Sequence, residues 1–412
     1  MEKSFMLIGE KLAHSYSKIF HEKFNDYEYD LCELPKDKLA DFFLKRDFKG
    51  INVTIPYKVD AMKLVDSLDE RAKEIGAINT VVNKNGKLIG YNTDFDGMVY
   101  ALNRAGIEIN GKCVMILGSG GTSNTAYHVA KTLGAKKIVK VSRTGDLNYN
   151  NYFNQVDTQV VINTTPVGMY PNTDNLIIDL HRLKNLEGVF DVVYNPFMTK
   201  LLLVAKSLNV KYSGGLSMLI AQAKYAHDLF TDKIYATSEL EKLIRDFEKD
   251  NKNLVFIGMP GSGKSTIAKA VAQKLNREFI DTDKVIEERL GLTISEIFSK
   301  YGEEYFRKVE SEVLYEVGKQ IKKVIATGGG VVKDDKNYFY LKQNGKVIFV
   351  SREVNLLATS GRPLSKDLNA VKSLYEQRID KYIAFKDFTI ENNGSIDSAV
   401  KGVIEYYENF NN

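Results

Sequence analysis

Two glycine loops, each set between a short apolar run and the start of a helical pattern, constrain this chain more than any other feature. Residues 118–123 read Gly118-Ser119-Gly120-Gly121-Thr122-Ser123 and follow Val114-Met115-Ile116-Leu117. Residues 258–265 read Gly258-Met259-Pro260-Gly261-Ser262-Gly263-Lys264-Ser265 and follow Leu254-Val255-Phe256-Ile257. A strand that turns on glycine straight into a helix presents backbone amides at the helix N-terminus, where an anion is stabilised. Each loop asks for its own parallel sheet with crossover helices. A chain of 412 residues has room for both, being too long for one ordinary core.

The formal charge is +4, from 57 basic and 53 acidic residues with no dominant basic block. That balance gives no case for a nucleic-acid partner, though it suits small anionic substrates. Cys32 and Cys113 are the only cysteines and have no neighbours at metal spacing, so a cytoplasmic location is expected. The N-terminus has too short an apolar run for a signal peptide, and no stretch is long enough for a membrane helix.

The expected fold class is α/β in successive blocks. Residues 1–97 alternate short strand-like runs (Ser4–Ile8, Tyr27–Leu31, Ile51–Ile55, Thr80–Val82, Lys87–Gly90) with helical patterns such as Pro35–Arg46. Residues 98–215 alternate helix with the buried runs Cys113–Leu117, Ile138–Val141, Val160–Ile162 and Gly188–Val193, a rhythm that predicts a Rossmann-like parallel sheet. Helices in 216–249 complete the first block. The polar stretch Arg245–Asn253 is the expected linker. Residues 254–412 restart the alternation, with Leu254–Ile257, Val324–Ala326 and Lys346–Val350 as core strands of a P-loop domain with flanking helices.

The first loop, Gly118 to Thr122, has the form of a dinucleotide-binding turn, with the small Ser123 in the place of a third glycine. The next strand ends in Ser142-Arg143-Thr144, where an acid would serve ribose hydroxyls; an arginine beside two hydroxyls suits a 2′-phosphate instead, so NADP(H) is favoured over NAD. The second loop is a complete P-loop. Gly261, Ser262, Gly263, Lys264, Ser265 and Thr266 are expected to hold ATP, with Lys264 reaching the outer phosphates and Ser265 offering its hydroxyl to Mg²⁺.

The first half resembles shikimate dehydrogenase over its whole length. The resemblance rests on His14-Ser15-Tyr16-Ser17, Gly50 to Lys58 (GINVTIPYK), Gly76 to Thr80 (GAINT), Asn92-Thr93-Asp94, Asn163 to Met169 (NTTPVGM), Asp191 to Pro196 (DVVYNP), and Gly215-Leu216-Ser217-Met218-Leu219 leading to Gln222. It implies a 3-dehydroshikimate and shikimate site with Lys58 as the acid/base and Asp94 holding it. Ser15 and Ser17 would bind the substrate carboxylate. Thr54, Asn79, Tyr194 and Gln222 would hold the ring hydroxyls, since a polyol needs groups that both donate and accept. Met218 and the backbone at Val192 and Gly215 would line the nicotinamide. The chain departs from the family at Lys18, usually proline, at Glu22, usually asparagine, and at Phe230, near the place of a tryptophan. Quinate stays open as a second substrate.

Residues 254–412 resemble shikimate kinase through Asp281-Thr282-Asp283, Phe306-Arg307-Lys308-Val309-Glu310, Gly328-Gly329-Gly330, Gly361-Arg362-Pro363-Leu364, and Arg378. The resemblance implies that Asp283 orients the reacting hydroxyl, that Asp281 lies near the metal, and that Arg307 and Arg378 clamp the substrate carboxylate. Gly329 would touch the substrate, and Arg362, on a lid, would meet ATP phosphates. The expected whole is a bifunctional enzyme of aromatic amino-acid synthesis, in which NADPH reduces 3-dehydroshikimate and ATP phosphorylates the resulting shikimate. A nucleotide-sensing kinase half and a non-enzymatic adaptor are the alternatives.

Overall fold

The computed structural model describes residues 5–12, 15–24, 26–357 and 368–410, which divide into two compact units between Ile244 and Arg245. No helix among them is long and apolar enough to cross a membrane.

The first unit holds two sheets. Its leading sheet comprises β1 (Phe5–Gly9), β2 (Tyr29–Glu33), β3 (Gly50–Val53), β4 (Ser67–Leu68), β5 (Thr80–Lys84) and β6 (Lys87–Tyr91), in the order β2-β1-β3-β5-β6-β4. β1 runs parallel to β2 and β3, whereas β5 is antiparallel to both neighbours. The helical pattern expected over Pro35–Arg46 is a 3₁₀ turn, Lys36–Lys38, followed by the α-helix Leu39–Lys45.

The second sheet is parallel throughout: β7 (Cys113–Leu117), β8 (Lys137–Val141), β9 (Val160–Asn163), β10 (Gly188–Asp191) and β11 (Lys211–Gly214), ordered β11-β10-β9-β7-β8. Its central strands β7, β9 and β10 are buried on both faces, as a sheet sandwiched by helices requires. Val114 and Ile116 point into one core and Met115 and Leu117 into the other. The turn after β7 is at the switch point of this order, where ligands of such sheets bind.

The helix Thr93–Arg104 crosses the expected 97/98 boundary and packs on the helix Gly215–Thr231. Their contact is close because Gly97 has no side chain. A Cβ there would sit 2.7 Å from the Met218 carbonyl and 3.0 Å from Gln222 Cβ.

The polar stretch 245–253 is not an open linker. Residues up to Asn251 continue the helix Thr237–Asn251, and Asn253 already belongs to the next strand. Leu240, Leu243, Ile244 and Phe247 are buried at helical spacing, so one apolar stripe carries the helix through a segment that is otherwise charged.

The second unit is built on β12 (Asn253–Ile257), β13 (Glu278–Asp281), β14 (Lys323–Ala326), β15 (Gly345–Ser351) and β16 (Phe388–Glu391), all parallel and ordered β13-β14-β12-β15-β16. The central β12 feeds the second glycine loop, and the helix Lys264–Lys274 leaves it.

Candidate active sites

In the first unit a cavity of about 680 Å³ opens beside the C-terminal ends of β1, β3 and β10. Lys58 follows β3 and Asp94 lies in the first turn of the helix Thr93–Arg104, whose N-cap is Asn92. Lys58 Nζ donates to Asp94 Oδ2 at 2.6 Å, with both groups largely withdrawn from solvent. An ammonium held by a carboxylate at the wall of a cavity is equipped to pass a proton.

Ser15, Ser17, Thr54, Asn79, Tyr194 and Gln222 line the same cavity, as do Thr122, Val192, Gly215 and Met218. The Ser15 hydroxyl accepts the Ser17 amide at 3.3 Å, while the N-cap of the following helix is Tyr16, without a side-chain cap. Asn79 is held on every side: its amide nitrogen donates to Thr93 Oγ1 at 3.0 Å and Gln222 Oε1 at 3.3 Å, and its oxygen accepts the Thr93 amide at 2.7 Å. Gly215 is needed where it stands, because a Cβ would strike the Val192 carbonyl.

Of the residues expected at the pyrophosphate and 2′-phosphate, Thr122 reaches this cavity, whereas Gly118 to Gly121 and Ser142 to Thr144 lie outside its lining. The turn leaves room around its backbone. Gly118 takes φ +118°, and Cβ atoms added at Gly120 or Gly121 would meet nothing within 4 Å, so the loop face is open for a pyrophosphate to approach. Ser123 is fully buried and donates to the Gly118 carbonyl at 2.9 Å. Arg143 is exposed beyond the end of β8.

In the second unit a cavity of about 460 Å³ is lined by Gly261, Gly263, Lys264, Ser265, Thr266, Asp283, Arg307, Gly329 and Arg378. Ser262 is not at its surface; it is buried, and its carbonyl accepts from Asn392 Nδ2 at 2.7 Å. Lys264 Nζ donates to the Met259 carbonyl at 2.9 Å. Ser265 Oγ donates to Asp281 Oδ2 at 2.7 Å, and Asp281 Oδ1 accepts the Asp283 amide at 3.1 Å. Two hard oxygen donors side by side at the loop exit fit Mg²⁺. Burial, reinforced by the Glu310 and Asp281 carboxylates, pushes the Asp283 carboxyl up to about 7 against the pull of Lys264 and Arg307. Arg362 lies outside the described residues.

The three glycines 328–330 each press on a different group. A Cβ on Gly328 would lie 2.7 Å from Glu310 Oε1 and 2.8 Å from Asp283 Oδ1; on Gly329, 2.6 Å from the Pro260 ring; on Gly330 it would collide with the Arg307 guanidinium. The Gly329 carbonyl accepts from Arg378 Nη1 at 2.9 Å and from the Tyr382 hydroxyl. Asp283 Oδ1, Glu310 Oε1 and Arg378 Nε are buried without hydrogen-bond partners. Buried polar atoms are rarely left so, and these three belong to cavity-lining residues, where a polar ligand can satisfy them.

Comparison with known proteins resolves what the two cavities belong to. The chain is 36% identical over 265 residues to shikimate dehydrogenase (NADP(+)) of Clostridium beijerinckii, which covers 60% of this chain and 98% of that relative. The chain belongs to the shikimate dehydrogenase family. Residues 7–81 match the family model for the shikimate dehydrogenase substrate binding domain, and residues 260–408 match the one for shikimate kinase, so the chain is a fusion of the two. Among solved structures, a chorismate mutase/shikimate 5-dehydrogenase fusion protein from Clostridium acetobutylicum aligns with TM-score 0.57 and 33% identity, over 60% of this chain and 98% of that one. A quinate dehydrogenase from Corynebacterium glutamicum in complex with NAD aligns with TM-score 0.54 and 26% identity, over 60% and 99%.

Within this dehydrogenase–kinase fusion, the departures from the family pattern find local explanations. Lys18 and Glu22 are one turn apart and pair with each other at 3.5 Å. Phe230 packs against Gly50, tilted on Phe5 and edge-on to Tyr27. Some residues of the cavities escaped the sequence reading of their roles. Asn52 lines the dehydrogenase cavity and accepts from Tyr29 Oη at 2.6 Å; an asparagine within a fully buried strand was the signal. Glu310 lines the kinase cavity and accepts from Arg307 Nη1 at 2.6 Å; its spacing of three from Arg307 on a helix was the signal.

Proposed function

We propose that this chain carries out two consecutive reactions on one ring acid, reducing 3-dehydroshikimate with NADPH and phosphorylating shikimate with ATP. The carrying observation is that a single chain holds a Lys58–Asp94 pair in one cavity and Asp283 facing a P-loop in another. In this reading residues 1–97, with the helices up to 249, form the substrate domain, 98–215 the cofactor domain and 254–412 the kinase.

NADPH, when bound, supplies the hydride. Lys58 donates a proton to the oxygen that becomes the alcohol, and Asp94 holds the ammonium toward it. Ser15 and Ser17 bind the carboxylate; Thr54, Asn79, Tyr194 and Gln222 fix the ring through its hydroxyls. Gly118 to Thr122 take the pyrophosphate, Ser142, Arg143 and Thr144 the 2′-phosphate, and Val192, Gly215 and Met218 the nicotinamide.

In the kinase, Asp283 accepts a hydrogen bond from the attacking hydroxyl and aims it. Arg307, Arg378 and Gly329 hold the ring acid. Gly261 to Thr266 hold ATP, joined by Arg362, and Ser265 with Asp281 would hold Mg²⁺, which neutralises phosphate charge when present. Cytoplasmic placement is part of the proposal, supported by the free thiols of Cys32 and Cys113.

The test is one set of assays on wild type, Lys58→Ala and Lys264→Ala. Wild type should oxidise NADPH with 3-dehydroshikimate and release ADP in response to shikimate. Each variant should lose one activity and keep the other. ATP binding without shikimate-dependent ADP would replace the kinase by a sensor. The likeness to quinate dehydrogenase supports a second reading in which quinate is also oxidised; a quinate assay on the same preparation decides it.

A further inference from the structure

Arg307 is held by more than its neighbours in the cavity. Its Nε and Nη2 donate to Glu303 Oε1 at 3.2 and 3.1 Å, and its Nη1 donates to Glu310 Oε2 at 2.6 Å. A guanidinium has five N–H groups. Three are taken, which leaves one N–H on each terminal nitrogen to meet a carboxylate in the cavity.

Glu303 reaches Arg307 from behind. Arg307, Glu310 and Gly330 line the cavity, and Glu303 does not. Its position is set by a break in the long helix Ile294–Gly318, where Gly302 takes φ +81° and ψ 173°. The helix restarts at Glu303, so the carboxylate stands at a helix start, where negative charge is favoured, and Arg307 follows one turn later. Lys333 Nζ donates to the same Glu303 oxygen at 2.6 Å. Lys333 also stands outside the lining. Hydrogen bonds from Lys333 and Arg307 hold the Glu303 carboxyl below its ordinary value. Arg307 is flanked by two carboxylates, and Lys333 returns the charge that Glu303 removes.

We propose that Glu303 is a positioning residue of the kinase half: it clamps the side edge of Arg307 so that its terminal nitrogens are held toward the substrate carboxylate, and Lys333 keeps that clamp from cancelling the arginine's charge. The inference rests on the kinase reading above.

The experiment measures kinase kinetics of the full chain for wild type, Glu303→Ala, Glu303→Gln and Lys333→Ala, varying shikimate and ATP separately. Glu303→Ala should raise the shikimate KM about tenfold or more, as loss of a charge-assisted clamp does, with the ATP KM within about twofold. Glu303→Gln keeps an acceptor oxygen and should restore part of the loss. Lys333→Ala should raise the shikimate KM several-fold through charge alone. If wild type gives no shikimate-dependent ADP, the kinase reading falls and this inference with it. If wild type is active and Glu303→Ala leaves the shikimate KM unchanged, or moves both KM values together, this inference alone is overturned. Should Glu303→Ala fail to fold, an unchanged shikimate KM in both Glu303→Gln and Lys333→Ala overturns it equally.

Discussion

Asn163 donates its side-chain amide to Asp191 at 2.9 Å, joining the ends of two adjacent parallel strands, β9 and β10. Each partner also governs its own loop. Asn163 Oδ1 accepts the Thr165 amide and hydroxyl at 3.0 and 2.8 Å, while Asp191 accepts the Val193 amide at 3.1 Å and the Thr199 hydroxyl at 2.7 Å. Those loops carry Met169 and Tyr170, and Val192 and Tyr194, to the dehydrogenase cavity.

Burial pushes the Asp191 carboxyl up to about 7, although its three hydrogen bonds pull it down. The folded protein therefore keeps a proton there that the unfolded chain releases near pH 4. Stability from this group is greatest at low pH and falls as pH rises to about 7, by about 1.4 kcal/mol per pH unit. Asp191→Asn does not titrate. Its melting temperature relative to wild type should accordingly be higher at pH 8 than at pH 5. A relative melting temperature that falls with pH would contradict the assignment. Asp191→Ala, which strands three donors, should cost about 1–3 kcal/mol or more at either pH.

Gly330 takes φ −100°, a conformation open to alanine, so Gly330→Ala tests space rather than backbone strain. Its methyl group would displace the Arg307 fork. Shikimate kinase activity should fall on the order of 10²-fold, as misplacement by about 1 Å can produce, with NADPH oxidation untouched. Full kinase activity in this variant would show that the fork has other room.

Asp283→Asn preserves shape while removing the carboxylate proposed to aim the attacking hydroxyl. Turnover should drop about 10²–10⁴-fold with nucleotide affinity retained, read by single-turnover phosphate transfer and by ATP titration. Retained turnover would remove Asp283 from the reaction.

Arg143 stands exposed beyond the strand that follows the first glycine loop. Arg143→Ala should raise the NADPH KM about tenfold or more through loss of a charge-assisted contact, with little change for NADH. Equal losses with both cofactors would assign the preference elsewhere.

The sequence made the central strands legible because each is an apolar run buried on both sides. It hid β11, β13 and β16, which are edges of their sheets and leave their residues partly exposed, so no continuous apolar run marks them. It also misled at 245–253, where charge is dense but the buried spacing of Ile244 and Phe247 continues the helix. The residues proposed to react stand in short motifs, and the structure brings Lys58 to Asp94 and Asp283 to the second glycine loop. Asn52, Glu303 and Glu310 were not legible from motifs, since their roles exist only through partners supplied by the fold: Tyr29 for the first and Arg307 for the other two.

The serine in the third glycine position has a wider meaning. By hydrogen-bonding the Gly118 carbonyl from inside, it ties the start of the first glycine loop to the helix that leaves it, with no help from a ligand. If the exposed Arg143 sets the choice of coenzyme, as proposed, that choice can be exchanged by substitution there without disturbing the tie inside the loop.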